Sequence, residues 1–554
     1  MNKMEVSSIM ERSIHARNPG VGLFLGLGLI LSLDLFPCTN ILVSKGASAD
    51  GSTMITYAAD SHTLYGELVT FPAGRHIPGT WVDVIEWDTG KHLGKIRQVE
   101  QTYAVVGNMN EHQVSIGETT YGGREELRDD STAVLDYGTL MYTALQRGKT
   151  AREAIRIMTD LVKEYGYYSE GESFSIADPN EVWICDMIGK GRGNRGAVWV
   201  ARRVPDGYIT AHANHPRIRQ FPLNDRENCL YAEDVIAFAR KKGYFKGDDA
   251  DFSFADAYAP ADFGALRFCE ARVWSVFRNA APSLHLSSDY VKPVPGAEPL
   301  PLWIKPDRRL GVRDVMELMR DHFENSEFDM TKDIGAGPYK LPYRWRPMEW
   351  KVDSATYLFE RAISTQQTGF SFVAQARAWL PDPIGGVFWF GVDDTYSTVY
   401  VPMYCGITRV PKPFAVGTGS FGGFSWDSAF WVFNFVANFA YSRYCDMIQD
   451  IQPVQRELEG SYFGNQGTVE EAAVALYRQS PSLARNYLTD YSVALGEAAV
   501  ARWKKLGEFL IWKYMDGNVK NEFGRPTHPG YPQDWYRQIV KDTGDRLKEI
   551  KLPQ

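Results

Sequence analysis

The sequence predicts an α+β fold extended at its C-terminus by helices, and three observations carry that prediction. Stretches of strand character recur near 99–106, 113–118, 181–188, 197–204 and 207–212, two helical segments lie among them, and from residue 468 onward the pattern turns helical. The composition agrees. Apolar residues make up 44% and charged residues 23%, a globular balance, and a 13% aromatic share with 15 Trp favours strand-rich layers and an aromatic-lined pocket. A length of 554 residues admits two to four domains or one large elaborated unit. With 60 Lys and Arg against 68 Asp and Glu, the net charge of −8 lacks the basic face that phosphate binding needs, so no nucleic-acid partner is expected.

Residues 1–37 read as an export leader, with Lys3, Arg12 and Arg17 ahead of the apolar run VGLFLGLGLILSL at 21–33. That run is short for a membrane span and no later stretch is long and uncharged enough, so the mature form is expected to be exported, periplasmic or extracellular, without spanning the membrane. The junction LDLFPC offers neither an A-x-A site nor a small residue before Cys38. Two readings follow: the last leader residues leave by self-processing after an upstream cut, or the start belongs to a longer precursor.

The segment CTNILVSKGASADGSTMITYAADSH, residues 38–62, reads as a hairpin: strand at Ile41–Val43, turn at Ala47–Gly51, strand at Thr53–Tyr57. It sets Cys38 at a strand edge beside Asp60. A cysteine that becomes residue one carries a thiol that attacks carbonyls and an α-amine, of reference pKa about 7.7–8.0, that takes the thiol proton. No catalytic histidine is then required. The six cysteines, at 38, 185, 229, 269, 405 and 445, contain no C-x-x-C pair; with Cys38 set aside, two bridges at most can form.

Two helices are expected next, over about 131–147 and from the capping box Thr150-x-x-Glu153 to Gly166, the second with Ile155, Met158, Leu161, Val162 and Tyr165 on one face. The region 345–445 is rich in aromatics and glycines and reads as strands and turns, with one or two rings at a cleft. From Thr468-x-x-Glu471, the residues Leu488, Tyr491, Leu495, Ala498, Ala499, Arg502, Leu506 and Leu510 trace a stripe for packing or for a homo-oligomer contact.

Several motifs fail on context. Gly191–Gly196 matches G-x-G-x-x-G, but the following AVWVARRV reads as a strand where a dinucleotide site needs a helix, so a hairpin turn is expected. Gly148-Lys149-Thr150 lacks the strand and the first glycine of a P-loop. His212 and His215 have ligand-like spacing without an H-E-x-x-H context, and no G-x-S-x-G elbow occurs, so neither a metal nor another cofactor is expected.

The segments CTNILVSKGASADGSTM at 38–54, VVGNMNEHQVSIGETTYGG at 105–123, EVWICDMIGKGRG at 181–193, AHANHPRI at 211–218 and RFCEARVWSVF at 267–277 together resemble the C69 dipeptidases, N-terminal-nucleophile hydrolases related to penicillin V acylase and bile-salt hydrolase. The resemblance runs from Cys38 to about residue 445. It implies a four-layer αββα sandwich over 38–465 with a helical extension over 466–554, and dipeptide substrates. It implies Cys38 as nucleophile, Asp60 on its amine, Asn214 as a side-chain donor to the oxyanion, and Arg272 beside the nucleophile, with Arg267 easily confused for it. A second oxyanion donor falls at Glu118 or Thr119. Tyr57 stands where the related acylases carry an arginine, a departure that alters the local charge. An N-acyl amidase shares this chemistry, and a lipid-anchored binding protein attached through Cys38 is the reading from another class.

Overall fold

The structure, a computed structural model, describes residues 38–128 and 132–552; the expected leader at 1–37 lies outside them. The chain is described from β1 (Cys38–Val43), which returns as β2 (Thr53–Asp60) in an antiparallel hairpin with Cys38 opposite Ala59 and Val43 opposite Met54. Both strands are buried throughout, as layers covered on both faces require. A peripheral hairpin, Trp81–Ile85 with His92–Arg97, has no counterpart in the expected elements.

After β3 (Ser115–Tyr121) come α1 (Tyr137–Arg147) and α2 (Ala151–Tyr165). The first helix starts later than residue 131, because Asp136 caps it, its side chain accepting from the Thr139 N–H. The second starts at the expected box: the Thr150 hydroxyl accepts from the Glu153 N–H at 3.2 Å, and the Glu153 carboxylate accepts from the Lys149 N–H at 2.8 Å. Then follow β4 (Gly171–Ala177), β5 (Val182–Gly189), β6 (Ala197–Arg203) and β7 (Ile209–His212). The glycine-rich segment 191–196 is the turn between antiparallel β5 and β6, with φ of 72°, 76° and 100° at Gly191, Gly193 and Gly196.

The remainder supplies α3 (Ala271–Ala280), α4 (Val312–Met319), β8 (Thr368–Ala376), β9 (Val387–Val392), β10 (Val401–Tyr404), α5 (Ala429–Ala440), α6 (Tyr444–Gln479) and α7 (Pro481–Lys513). The helical tail begins earlier than Thr468. α6 runs unbroken through Pro453, residue 465 and Thr468, so the Ser/Thr-x-x-Glu pattern at 468–471 sits in a helix interior.

Two antiparallel sheets result. The order of one is β7-β1-β2-β8-β9-β10; the other runs from Cys229–Tyr231 through β6, β5, β4 and β3 to three two-residue strands. β1 and β2 pack against β3, β4 and β5, so the sheets meet face to face. Leu140, Ile155, Met158, Phe174, Ile176 and Trp183 join α1 and α2 to the second sheet, while α3, α4, α5 and α7 lie on the first. The stripe on α7 is covered in part within the chain: Leu488, Ala499, Leu506 and Leu510 are buried and neighbouring Trp503 stacks on Phe433 at 4.9 Å, while Tyr491, Leu495 and Arg502 are half-buried and Ala498 is exposed. Among the described residues no helix is long and apolar enough to cross a membrane, and all six cysteines are free thiols. The architecture is α+β, and it places the start of β1 between β7 and β2 at the seam of the two sheets and the α3 layer.

Candidate active site

Strand alternation decides what Cys38 meets. Cys38 lies opposite Ala59, so Cys38, Asn40 and Tyr57 share the face toward the second sheet, where the Asn40 amide donates to Ser175 Oγ at 3.0 Å. Position 117 on the facing β3 is glycine, and a Cβ there would come within 2.8 Å of Asn40 Nδ2 and 3.1 Å of Tyr57 Cβ. On the other flank β7 pairs with β1, Asn40 opposite His212. Two residues further along the same register, Asn214 comes opposite Cys38. Its φ of 62° is a left-handed conformation that asparagine tolerates, and it turns the side chain back onto the strand start.

The Cys38 N–H donates to Asn214 Oδ1 at 2.8 Å, and Asn214 Nδ2 donates to the Thr120 carbonyl at 2.6 Å. Asn214 thus holds the nitrogen of residue 38 with its oxygen and β3 with its amide.

Arg272 comes from the outer helix layer. Residues Ala265–Glu270 form a widened π turn directly before α3, a feature common at functional sites, and Arg272 follows it with no exposed surface. All five guanidinium hydrogens are engaged: Nε with Phe268 O at 2.7 Å, Nη1 with Cys38 O at 2.5 Å and Thr39 Oγ1 at 2.8 Å, Nη2 with Ala213 O at 3.2 Å and Asn214 Oδ1 at 2.8 Å. Arg267 is elsewhere, paired with Glu360 and lying over Phe328.

Asp60 ends β2 as expected and is buried. Its Oδ1 accepts from the Thr368 hydroxyl at 2.6 Å, and its Oδ2 has no partner. Burial pushes its carboxyl up to about 7, against the opposing pull of Thr368, Arg272 and Arg361. Tyr57 bridges the thiol and an acid: its hydroxyl is 3.9 Å from Cys38 Sγ and donates to Glu118 Oε1. Thr119 sits apart from the thiol, its hydroxyl on His212 Nδ1 at 2.7 Å, with His212 Nε2 on Ser175 Oγ. Burial pulls His212 down to about 3, so it is a neutral structural hydrogen-bonder.

Burial, then the charges of Glu118 and Asp60, push the Cys38 thiol well above the usual cysteine range. In the continuous chain the nitrogen of residue 38 is an amide and accepts no proton, so the sulfur stays a thiol. Two residues of the site carry no sequence motif. Glu172 on β4 sits diagonally across from Glu118, and Arg361 lies close enough to Asp60 to pull its carboxyl down and close enough to Arg272 to be repelled by its charge. Arg361 and Arg272 supply next to Asp60 the positive charge that Tyr57 cannot. Only the three-dimensional pairing of distant segments reveals either residue. Among the described residues no three His, Cys, Asp or Glu side chains are grouped as metal ligands.

The site is thus a buried thiol at a strand start, its own backbone clasped by an arginine and an asparagine. Comparison with known proteins then gives the family. The profile described as Peptidase family C69 matches residues 69–457, which takes in Glu118, Thr119, Glu172, Asn214 and Arg272 and begins after Cys38 and Asp60. A protein named probable dipeptidase from Latilactobacillus sakei is 25% identical over 393 residues, 67% of this chain and 75% of the relative. Another of that name from Salmonella dublin is 25% identical over 400 residues, 69% and 83% of the two chains. Dipeptidase A of Lactobacillus helveticus is 21% identical over 399 residues, 68% and 76%. The chain belongs to peptidase family C69 and is by that membership a peptide hydrolase.

Proposed function

We propose that the protein is an exported cysteine dipeptidase whose nucleophile is Cys38, made the N-terminal residue by removal of residues 1–37, on the four-layer αββα sandwich of the N-terminal-nucleophile hydrolases. The names of the relatives support the substrate class. The observation that carries the mechanism is the clasp on residue 38: among the described residues, the side chains hydrogen-bonded to it are Asn214, Arg272 and Tyr57, none of them a histidine.

In the freed chain the α-amine beside Asn214 Oδ1 takes the proton that the thiol loses as sulfur bonds to the peptide carbonyl carbon. Arg272 fixes the carbonyl of residue 38, so the amine and the sulfur turn about one anchored Cα. The tetrahedral oxyanion draws on Asn214 Nδ2, released from the Thr120 carbonyl, and on the Glu118–Thr119 backbone. Collapse breaks the C–N bond, the amine proton passes to the leaving group, and water then hydrolyses the thioester. Asp60, buried beside Arg272 and Arg361, balances charge around the strand start.

A panel of unblocked dipeptides against N-acyl amino acids and bile-salt conjugates tests the substrate class. Dipeptides are expected to be hydrolysed with the higher kcat/KM; turnover confined to the N-acyl amides overturns the dipeptidase assignment.

A further inference from the structure

Buried glutamates in this molecule are paired with arginine. Glu270 has Arg217 at 3.3 Å and Glu459 has Arg320 at 2.6 Å, and the half-buried Glu470 likewise has Arg377 at 2.7 Å. Glu118 and Glu172 break the pattern. They are 1% and 0% exposed, and among the described residues neither forms an ion pair with Lys or Arg. Their donors are hydroxyls: Tyr57 donates to Glu118 Oε1, and Thr120 donates to Glu172 Oε1 at 2.9 Å while its oxygen lies 3.5 Å from Glu118 Oε2. Glu172 Oε2 is fully buried without a partner. Two carboxyl groups side by side in a dry site are costly unless a proton or a cation joins them. Burial pushes Glu118 up, and burial with the Glu118 charge pushes Glu172 well up, which favours a proton between the two carboxyl groups in a place a cation can take.

The distance to the nucleophile says which cation. In a dipeptide the α-nitrogen is bonded to the carbon next to the attacked carbonyl, which puts it roughly 3–5 Å from the sulfur in an attack geometry. The Tyr57 hydroxyl is 3.9 Å from Sγ and touches Glu118, so the acidic pair begins where that nitrogen must lie. An ammonium offers three donors, and Tyr57 Oη, the Glu118 carboxylate and the orphaned Glu172 Oε2 are three acceptors.

We infer that Tyr57, Glu118 and Glu172 form the subsite that binds the free α-ammonium of the substrate and so restrict the enzyme to peptides with an unblocked amino terminus. This rests on the dipeptidase assignment and adds the group that reads the substrate. A bulkier N-acyl amide neither supplies the charge nor releases the proton shared by the pair.

The test compares a dipeptide with its des-amino analogue, the same amide lacking only the α-amine, in wild type, Glu118→Gln and Glu172→Gln, each first shown by mass spectrometry to begin at the same residue. Wild type is expected to prefer the dipeptide by about 100-fold or more in kcat/KM. Each variant is expected to lower that ratio at least tenfold, mostly through KM for the dipeptide. Equal losses on both substrates in the variants, or an unchanged ratio, overturn the subsite while leaving the dipeptidase assignment standing. The wild-type ratio needs no variant to fold, and a ratio near one also overturns the subsite. Turnover of des-amino and N-acyl substrates alone removes both proposals together.

Discussion

The two sides of Cys38 are built from opposite chemistry. On the helix side, Arg272 places every N–H it has on oxygens of the chain itself, including the carbonyl of residue 38 and the asparagine that holds its nitrogen. On the side of the second sheet, Tyr57 leads to two carboxyl groups that have hydroxyl donors and, among the described residues, no cation. The first side is complete and sets the position of the residue. The second has acceptors to spare. The contrast separates what orients the nucleophile from what meets a ligand, and it can be broken by substitutions on either side.

The largest effect is expected at the residue between the two sides. Cys38→Ser replaces the thiol by a hydroxyl that the α-amine deprotonates far less readily, and kcat is expected to fall by about 10³-fold or more with the circular dichroism spectrum unchanged. A serine variant within tenfold of wild type would move the chemistry elsewhere. Stability should next divide the flanks. Arg272→Met takes a donor from three carbonyls, from Thr39 Oγ1 and from Asn214 Oδ1 in a buried site, a cost of about 3–5 kcal/mol, whereas Tyr57→Phe removes one phenol hydrogen bond at about 1 kcal/mol. Denaturant midpoints for both variants measure this, and equal losses would erase the distinction between a committed and an open flank.

A pH-dependent effect concerns Asp60, which is buried with one oxygen unpartnered. Its folded value of about 7 lies above the ordinary 3.8, so the folded state binds the proton more tightly than the unfolded one. The resulting stabilisation is complete below about pH 4 and is lost as pH rises to about 7. Asp60→Asn does not titrate and keeps what wild type loses. The melting temperature of Asp60→Asn minus that of wild type is expected to grow between pH 4 and 7 and to level off above; a flat difference would show Asp60 ionised throughout.

These predictions draw unevenly on what the sequence discloses. The hairpin at Cys38 and the cap at Thr150 are legible because turn residues and capping patterns act locally. The segment AHANHPRI marks Asn214, yet only the β1–β7 register explains why it reaches Cys38. Glu172 is hidden because GESFSIA lacks the β-branched alternation of a half-exposed strand, being buried on both faces. Arg361 is hidden because Asp60 and Arg272 lie on elements far from it in the sequence. The start of α6 was obscured by Pro453 and by the glycines at 460, 464 and 467, while Thr468 and Glu471 imitate a helix start in a helix interior.

The central claim is that catalysis needs the nitrogen of Cys38 to be a free amine. Intact-mass analysis of the purified active protein, paired with kcat before and after separation of cleaved from uncleaved chains, tests it most directly. The account predicts that all activity resides in chains whose first residue is Cys38; undiminished turnover in chains still carrying the residues before it would contradict the account.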